Sequence, residues 1–539
     1  MTVVRPTPEA TIPTTRDRRD SCGLLSRSPE VRRLAPVCIA SALAACLIPS
    51  AAQALPRLHA VRGDSPAIVT SDGRQVLLRG VNVNQLGDYW QQSPALPPTV
   101  PLTSDDFAGI HALGMDVVRL LVHWSALEPE RGRFDEAYVD RIRQAVAWAR
   151  EQGIYVVLDM HQDAWGKYIA SPKTEQCAPG FSHQQGWDGA PQWATLTDGL
   201  PTCRFQIREV APAVGQAWQS FYLDRDGIQS ELVRTWAHLA LEVASDPAVA
   251  GYDLLNEPNP GYGPGAEDAT TLGLYYRRAI DAIRAAESSA RRGFHHIVFF
   301  EPGAIWSAAG VDATPPPPLV DDPNTVFSPH LYAGSITAVP GVSVENGFTL
   351  ADDAGRQYGT TVWSGEWGWF GDPKSDEPQI ARYAKQEDAH LWGGAWWDWK
   401  QACGDPHNFS DGDATQPGSV SPSLNRFACP QQQLLGIPQT TRRILARPYV
   451  RFAPGRITAL DSDPATETAT VAGSDPERSG SCTVELWVPD TGSGAPRYTG
   501  TNVKDIRTGS TAGGFVVRGC ASGDWSLRPA VANAERALR

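Results

Sequence analysis

Val117-Val118-Arg119-Leu120-Leu121, an amphipathic stretch from Asp135 to Gln152, and then Tyr155-Val156-Val157-Leu158-Asp159 form the passage that decides the fold. Apolar runs this short, rich in β-branched residues, read as strands covered on both faces, and the stretch between them carries apolar residues at helical spacing. The unit is a strand–helix–strand crossover, and it recurs along the chain. Candidate strands lie at Val76–Val83, Val117–Leu121, Tyr155–Asp159, Gly251–Leu255, Ile297–Phe300, Thr325–Ser328, Thr361–Ser364 and Gly394–Trp397. Helical patterns follow Thr103-Ser104-Asp105-Asp106 as far as Leu113, and cover Gln229–Ala244, Thr271–Glu287 and Gln379–Leu391. Eight strands alternating with helices over residues 57–445 predict an α/β fold, a closed (β/α)8 TIM barrel with long loops. An open doubly wound sheet is the alternative; it would carry a Gly-rich phosphate loop after its first strand, and the sequence has none there.

From the Arg447-Pro448-Tyr449 junction the texture changes. Ile457–Leu460, Glu467–Ala472, Cys482–Val488 and Phe515–Gly519 alternate like half-buried strands between Gly, Ser, Pro and Asp turns. Residues 446–539 are therefore expected to form a small C-terminal β-sandwich. Almost no linker separates it from a final barrel helix ending near Leu445, which implies a packed interface. Trp487 and Trp525 are its only tryptophans and are expected in its core.

The 539 residues carry 47 Lys+Arg against 60 Asp+Glu, a net charge of −13, and no long basic run. Nucleic acid is excluded as the main partner, because phosphate binding needs clustered cations. The 18 tryptophans suit the flat faces of sugar rings, although many such residues simply fill cores.

Residues 1–54 read as a leader to be removed. A polar Met1–Arg33 segment precedes an apolar run from Leu34 to Pro49, and Ala52-Gln53-Ala54 follows, the pattern of a secretory signal peptide. A competing reading is a lipobox at Leu43-Ala44-Ala45-Cys46, which would anchor the chain through lipidated Cys46 instead of releasing it. Six cysteines remain downstream: Cys177, Cys203, Cys403, Cys429, Cys482 and Cys520. In an exported chain they favour disulfides, and proximity within loops suggests 177–203, 403–429 and 482–520. No pair has metal-ligand spacing, so no metal or cofactor is expected.

Four strand ends carry the candidate chemistry, at the face where this fold holds its active sites. Arg119 sits near the end of strand two. Asp159-Met160-His161-Gln162-Asp163 ends strand three, Asn256-Glu257-Pro258 strand four, and Gly365-Glu366-Trp367 strand seven. Taken singly, each is an ordinary structural residue or loop start; together, at the ends of one barrel's strands, they point to chemistry. Two glutamates facing each other across the mouth suit glycoside hydrolysis, in which one carboxylic acid protonates the departing oxygen while a carboxylate attacks or directs water.

Over residues 57–440 the sequence resembles glycoside hydrolase family 5, in the retaining clan with glutamates on strands four and seven. The likeness is strongest to the endoglycoceramidase branch, through Asp159–Asp163, Trp124-Ser125-Ala126-Leu127-Glu128-Pro129 and the Arg447-Pro448-Tyr449 junction. The resemblance implies that Glu257 is the acid/base and Glu366 the nucleophile. Asn256 would bind the sugar 2-hydroxyl, and His330 and Tyr332 match the strand-six motif, with Tyr332 holding the nucleophile. Arg119 and His161 match the framework that keeps Glu366 ionised, Asp163 the sugar-binding acid, and Trp397 the platform beneath the sugar. Asn82-Val83-Asn84-Gln85 departs from the family pattern, in which a lysine contacts sugar, and the loop carrying Cys177 and Cys203 is long, with its own Trp187 and Trp193.

The residues themselves suggest distinct roles for the glutamates. Pro258 lacks an N–H, so a buried Glu257 beside a charged Glu366 should have a raised pKa, whereas Arg119 should keep Glu366 ionised. The expected protein is a secreted monomer acting on a carbohydrate or glycolipid, with peripheral contact to a membrane or micelle. A β-glucanase or plant-glycoside hydrolase shares the catalysis, and a non-catalytic carbohydrate-binding barrel is a more distant alternative.

Overall fold

The computed structural model describes residues 55–263, 265–310, 312–336, 342–408 and 418–530. The leader, the Leu43–Cys46 motif and the C-terminal nine residues lie outside the described residues.

Eight parallel strands make the barrel: Arg79–Val83, Val117–His123, Tyr155–His161, Val249–Asp253, Ile297–Phe300, Thr325–Phe327, Trp363–Trp367 and Gly393–Trp396. They hydrogen-bond in the order seven, eight, one, two, three, four, five, six, and a bridge from Phe327 to Val362 closes the seam between six and seven. Strands two and three are buried at every residue, as expected for strands with core on one side and helices on the other. The crossover helix between them, Glu136–Glu151, starts where the Asp135 carboxylate accepts from the Ala137 and Tyr138 amides; it buries Tyr138, Val139, Ile142, Ala145, Val146 and Ala149, one stripe at helical spacing. Ser104–His111 opens on a Thr103–Asp106 capping box.

Two differences from the sequence reading matter. The apolar run Val76–Val83 is not one strand. It breaks at Leu77-Leu78, which turn into the cores on either side, and only Arg79–Val83 enters the barrel. Strand seven also runs further than expected, through Trp367, so Glu366 projects from the strand itself.

The second sheet is antiparallel and draws on both ends of the chain. Leu58–Val61, Ala67–Thr70 and Arg74–Val76, which the sequence reading placed with the barrel, pair into it instead: Val76 lies opposite Phe452 on the strand Tyr449–Pro454. The long strand Gly514–Pro529 pairs with Thr483–Pro489 as far as Cys520 and with Thr468–Asp475 from Gly523 onward. It thus joins the two parts of one continuous sheet, packed around Val471, Leu486, Trp487, Val517, Trp525 and Leu527. Both tryptophans are buried there, as expected.

The sandwich rests on the barrel's base, opposite the mouth. The Gly114 carbonyl, just before strand two, accepts from the Tyr449 hydroxyl at 2.9 Å and from Arg451 Nη2 at 2.6 Å. Gly114 has φ +81°, and a Cβ there would lie 2.1 Å from Trp487 Nε1, so only glycine permits both the turn and the approach. Buried Arg447 reaches Glu387 at 2.6 Å and Asp388 at 3.0 Å on the last large barrel helix, Pro373–His390. The disulfides are Cys177–Cys203, Cys403–Cys429 and Cys482–Cys520. No helix among the described residues is long and apolar enough to cross a membrane.

Candidate active site

Glu366 is held at both oxygens. Arg119 Nη1 donates to Oε1 at 2.8 Å and the Tyr332 hydroxyl donates to Oε2 at 2.9 Å. Arg119 has no solvent exposure and also meets Asp253 at 2.9 Å, Glu301 at 2.9 Å and Asp159 at 3.0 Å. Its remaining partners are the side-chain oxygens of Asn82 at 3.2 Å and Asn256 at 3.0 Å. One buried cation therefore serves four carboxyl groups, and burial lifts the pKa of Asp159 to about 7, of Asp253 to about 6 and of Glu301 to about 8.

Glu257 sits just past strand four with φ +38°, a left-handed conformation that costs a non-glycine residue about 1–3 kcal/mol unless its surroundings over-determine it. They do. Its amide donates to Glu301 Oε2 at 2.9 Å, and Gln162 Nε2 donates to the carbonyls of Asn256 and Glu257 at 2.8 and 3.2 Å. The strained turn aims the carboxyl at His330, whose Nδ1 is 2.9 Å from Oε1, while Arg208 Nη2 is 3.4 Å from Oε2. His330 spans the site: Nδ1 is also 3.5 Å from Glu366 Oε2 and Nε2 is 3.1 Å from Glu301 Oε1. Burial opposes charge on this imidazole, but the surrounding carboxylates outweigh it and raise its pKa well above the usual value. Carboxylate oxygens of Glu257 and Glu366 and a ring nitrogen of His330 lie within 4.8 Å of one another.

The electrostatics reverse the sequence expectation for the two glutamates. Burial raises Glu366 to about 7, against the pull of His330 and Arg119. At Glu257 burial is outweighed by the hydrogen bond and charge of His330 and by the charges of Arg208 and Arg119, which bring it down to about 2. The missing Pro258 donor counts for little beside these cations, and Arg208 comes from a distant loop. Carboxyls this close titrate as a pair, holding one proton between the two values.

His161, Asp163, Asn256, Tyr332 and Trp397 line, with both glutamates, a cleft of about 450 Å³ open to solvent. His161 is placed differently from the expected Glu366 framework: its Nδ1 meets Asp159 Oδ2 at 2.7 Å and its ring stacks beside Trp397, with centroids 5.4 Å apart. Asp163 is paired with Arg208 and His407, and His407 Nδ1 is 2.8 Å from Asp405. His161, Asp163, Asp188 and His407 come close enough to share a cation, but the Asp163 oxygens are already engaged by these two partners.

Strand-end glutamates paired across a barrel mouth agree with what comparison finds. The sequence profile of Cellulase (glycosyl hydrolase family 5) matches residues 69–402. The chain belongs to glycosyl hydrolase family 5. Among solved structures, an endogalactoceramidase is 47% identical, with a TM-score of 0.81, covering 88% of this chain and 100% of that one. Endo-glycoceramidase II from Rhodococcus sp., in a cellobiose-like imidazole complex, is 23% identical with a TM-score of 0.66, over 86% of this chain and 99% of that one, a likeness of fold. Endoglycoceramidase I of Rhodococcus hoagii (strain 103S) is 30% identical over 285 residues, 50% of this chain and 52% of that protein. The Cyanea nozakii endoglycoceramidase is 27% identical over 310 residues, 51% and 57% of the two. The chain spans about half the length of these curated relatives.

Several residues of this family 5 site escaped the sequence reading. Glu301 directly follows the apolar run Ile297–Phe300, the same strand-end signal that marked Glu257, and could have been found by it. Arg208 and His407 lie in long irregular loops, where no periodicity singles them out. Glu128 of the Trp124–Pro129 segment accepts from Trp124 Nε1, the Gly132 amide and the Thr235 hydroxyl at 2.8, 2.6 and 2.7 Å, which holds the neighbouring loop and not the site.

Proposed function

We propose that this protein is a secreted retaining β-glycosidase that cleaves O-glycosidic bonds by double displacement, with glycosphingolipids or related hydrophobic glycosides as substrates. The observation that carries the reading is the separation of the two glutamates, with oxygens within 4.8 Å. Retaining glycosidases hold their carboxyls about 5–5.5 Å apart, whereas inverting ones need roughly 6.5–9.5 Å to admit a water.

In this reading Glu366, oriented by Arg119 and Tyr332, attacks the anomeric carbon while Glu257 gives its proton to the leaving oxygen. Glu257 then takes a proton from the water that releases the glycosyl group from Glu366. The reactive form carries the pair's single proton on Glu257, and it shares its pH window with the form protonated on Glu366. Asn256 binds the 2-hydroxyl, Trp397 supports the ring, His161 and Asp163 bind sugar hydroxyls, and His330, kept cationic by the carboxyls around it, holds Glu257 in place.

The relatives' names favour a lipid aglycone, and so does the rim of the cleft. Ile336 lines the cleft and is exposed, and Phe181, Phe205, Ile207 and Val210 are exposed on the stretch of chain that brings Arg208 to it, apolar surface suited to a lipid or micelle. The leader pattern and three disulfides favour export. The enzyme works as a monomer in this reading, its sandwich bracing the barrel from below.

The test is product release across ceramide glycosides, aryl β-glycosides and β-glucans, together with variants. Intact oligosaccharide released from ceramide glycosides is expected, and turnover confined to β-glucans would overturn the substrate class. Glu366→Gln should abolish turnover with the fold intact, and Glu257→Gln should be most damaging for poor leaving groups. Near-native rates for Glu366→Gln on an activated aryl glycoside would overturn the mechanism.

A further inference from the structure

We propose that Arg208 is the positioning residue of Glu257: the loop clamped by the Cys177–Cys203 disulfide delivers a fixed guanidinium that favours the carboxylate Glu257 becomes once it has released its proton. The inference rests on the double-displacement reading and adds a part to it that no barrel strand supplies.

The geometry leaves the guanidinium little freedom. Its Nη2 is shared between the Asp163 carboxylate and Glu257 Oε2, the latter at 3.4 Å; its Nε pairs with Glu209; and its central carbon lies over the Trp187 ring, 4.3 Å from the centroid. The backbone is tied as well, since Gln184 Nε2 donates to the Arg208 carbonyl at 3.3 Å and Ser182 bridges to Arg204 beside the disulfide. A planar cation held on three sides acts as a fixed charge.

The surroundings of Glu257 show why that charge matters. His330 faces Oε1, Glu366 lies within 4.8 Å, and Glu301 holds the backbone amide. Asp163 and Glu209, the other acids nearby, are already paired with Arg208. Arg208 is thus the direct cationic partner of Oε2. Charge develops on this carboxyl as its proton moves to the leaving group, and the carboxylate is also the base for the second step. A cation there favours the first transfer and, by holding the carboxylate in place, the release of the glycosyl group, where the ionised Glu257 must take the proton of water.

The test uses the full-length protein with Arg208→Gln and Arg208→Lys on an activated aryl β-glycoside. With a good leaving group the first step is fast, so slower release lowers kcat and KM together and lets the glycosyl-enzyme accumulate, readable by intact mass. Arg208→Gln should lower kcat about tenfold or more and move the alkaline limb of kcat/KM upward by about one pH unit, because removing a cation makes the pair hold its proton longer. Arg208→Lys should restore most of both. Unchanged limbs for Arg208→Gln, or a rise in KM alone, would overturn the proposal by leaving Arg208 a sugar contact or a loop support. Wild-type protein that forms no adduct on Glu366 would overturn the double-displacement reading instead, whatever the variants do.

Discussion

The Tyr332 hydroxyl lies 2.9 Å from Oε2 of Glu366, the oxygen that Arg119 leaves free. Burial and the neighbouring Glu366 charge hold the phenol pKa well above its usual value, so Tyr332 is a donor at every working pH. Its hydrogen bond fixes the carboxylate for attack without adding a charge. Tyr332→Phe removes only that donor, and a hydrogen bond to a charged group contributes about 1.5–3 kcal/mol. The expected result is a fall in kcat of roughly 10- to 150-fold with little change in thermal midpoint, measured by steady-state kinetics and melting. Wild-type turnover in this variant would remove Tyr332 from the machinery.

The pH profile follows from the glutamate pair. Its one-proton form spans about 2 to about 7, and that form alone has both an acid and a nucleophile. The expectation is that kcat/KM falls as pH climbs through about 7, because the pair loses its last proton. Glu257→Gln on an activated aryl glycoside should lack this alkaline limb, since no general acid remains to be deprotonated. An unaltered limb in that variant would assign the titration to another group.

Stability should respond to pH through the carboxyls around Arg119. Asp159, Asp253 and Glu301 have folded pKa values raised to about 7, 6 and 8, and burial raises Asp116 at the barrel base to about 7. A raised carboxyl favours the folded state fully below its unfolded value, and that contribution is lost as pH rises through the folded value. Asp163, Asp322 and Asp388 have lowered values, and their contribution disappears as pH falls through them. Melting by circular dichroism should show stability declining from about pH 5 toward about pH 9 as the raised carboxyls ionise. A flat profile between those limits would contradict the protonated-core picture.

The parts of this molecule that could be read from sequence were those with short-range signals. Val117–Leu121 and Tyr155–Asp159 declared themselves as covered strands by apolar continuity, Thr103 marked a helix start by capping chemistry, and Asp135–Gln152 showed its helix by apolar spacing. Glu257 and Glu366 stood out because they end such runs. The break at Leu77-Leu78 was hidden because both residues are apolar, and only the tertiary structure sends one to the sandwich core and the other to the barrel. Arg208 and His407 were invisible for a related reason: their importance lies in the partners that folding brings to them, Asp163 among them. The reversed order of the glutamates' titrations follows chiefly from His330, with the loop-borne charge of Arg208 adding to it.

The sandwich should prove inseparable from the barrel. Truncation after residue 445 removes the strand that pairs Arg74–Val76, the two residues that satisfy the Gly114 carbonyl, and the Arg447 cation facing Glu387 and Asp388. Glu387 and Asp388 would then share Arg79 alone, and exposing Leu77 costs about 1.5–3 kcal/mol for one large apolar side chain. The truncated chain is expected to be insoluble or inactive on every substrate, small aryl glycosides included, as judged by soluble yield and rate. The contacts described lie at the base and not at the mouth, so the same loss is expected for soluble and lipid-presented substrates alike. A soluble truncated barrel with full aryl-glycosidase activity would refute the packed interface, and one that failed only on ceramide glycosides in micelles would make the sandwich a targeting element instead of a brace.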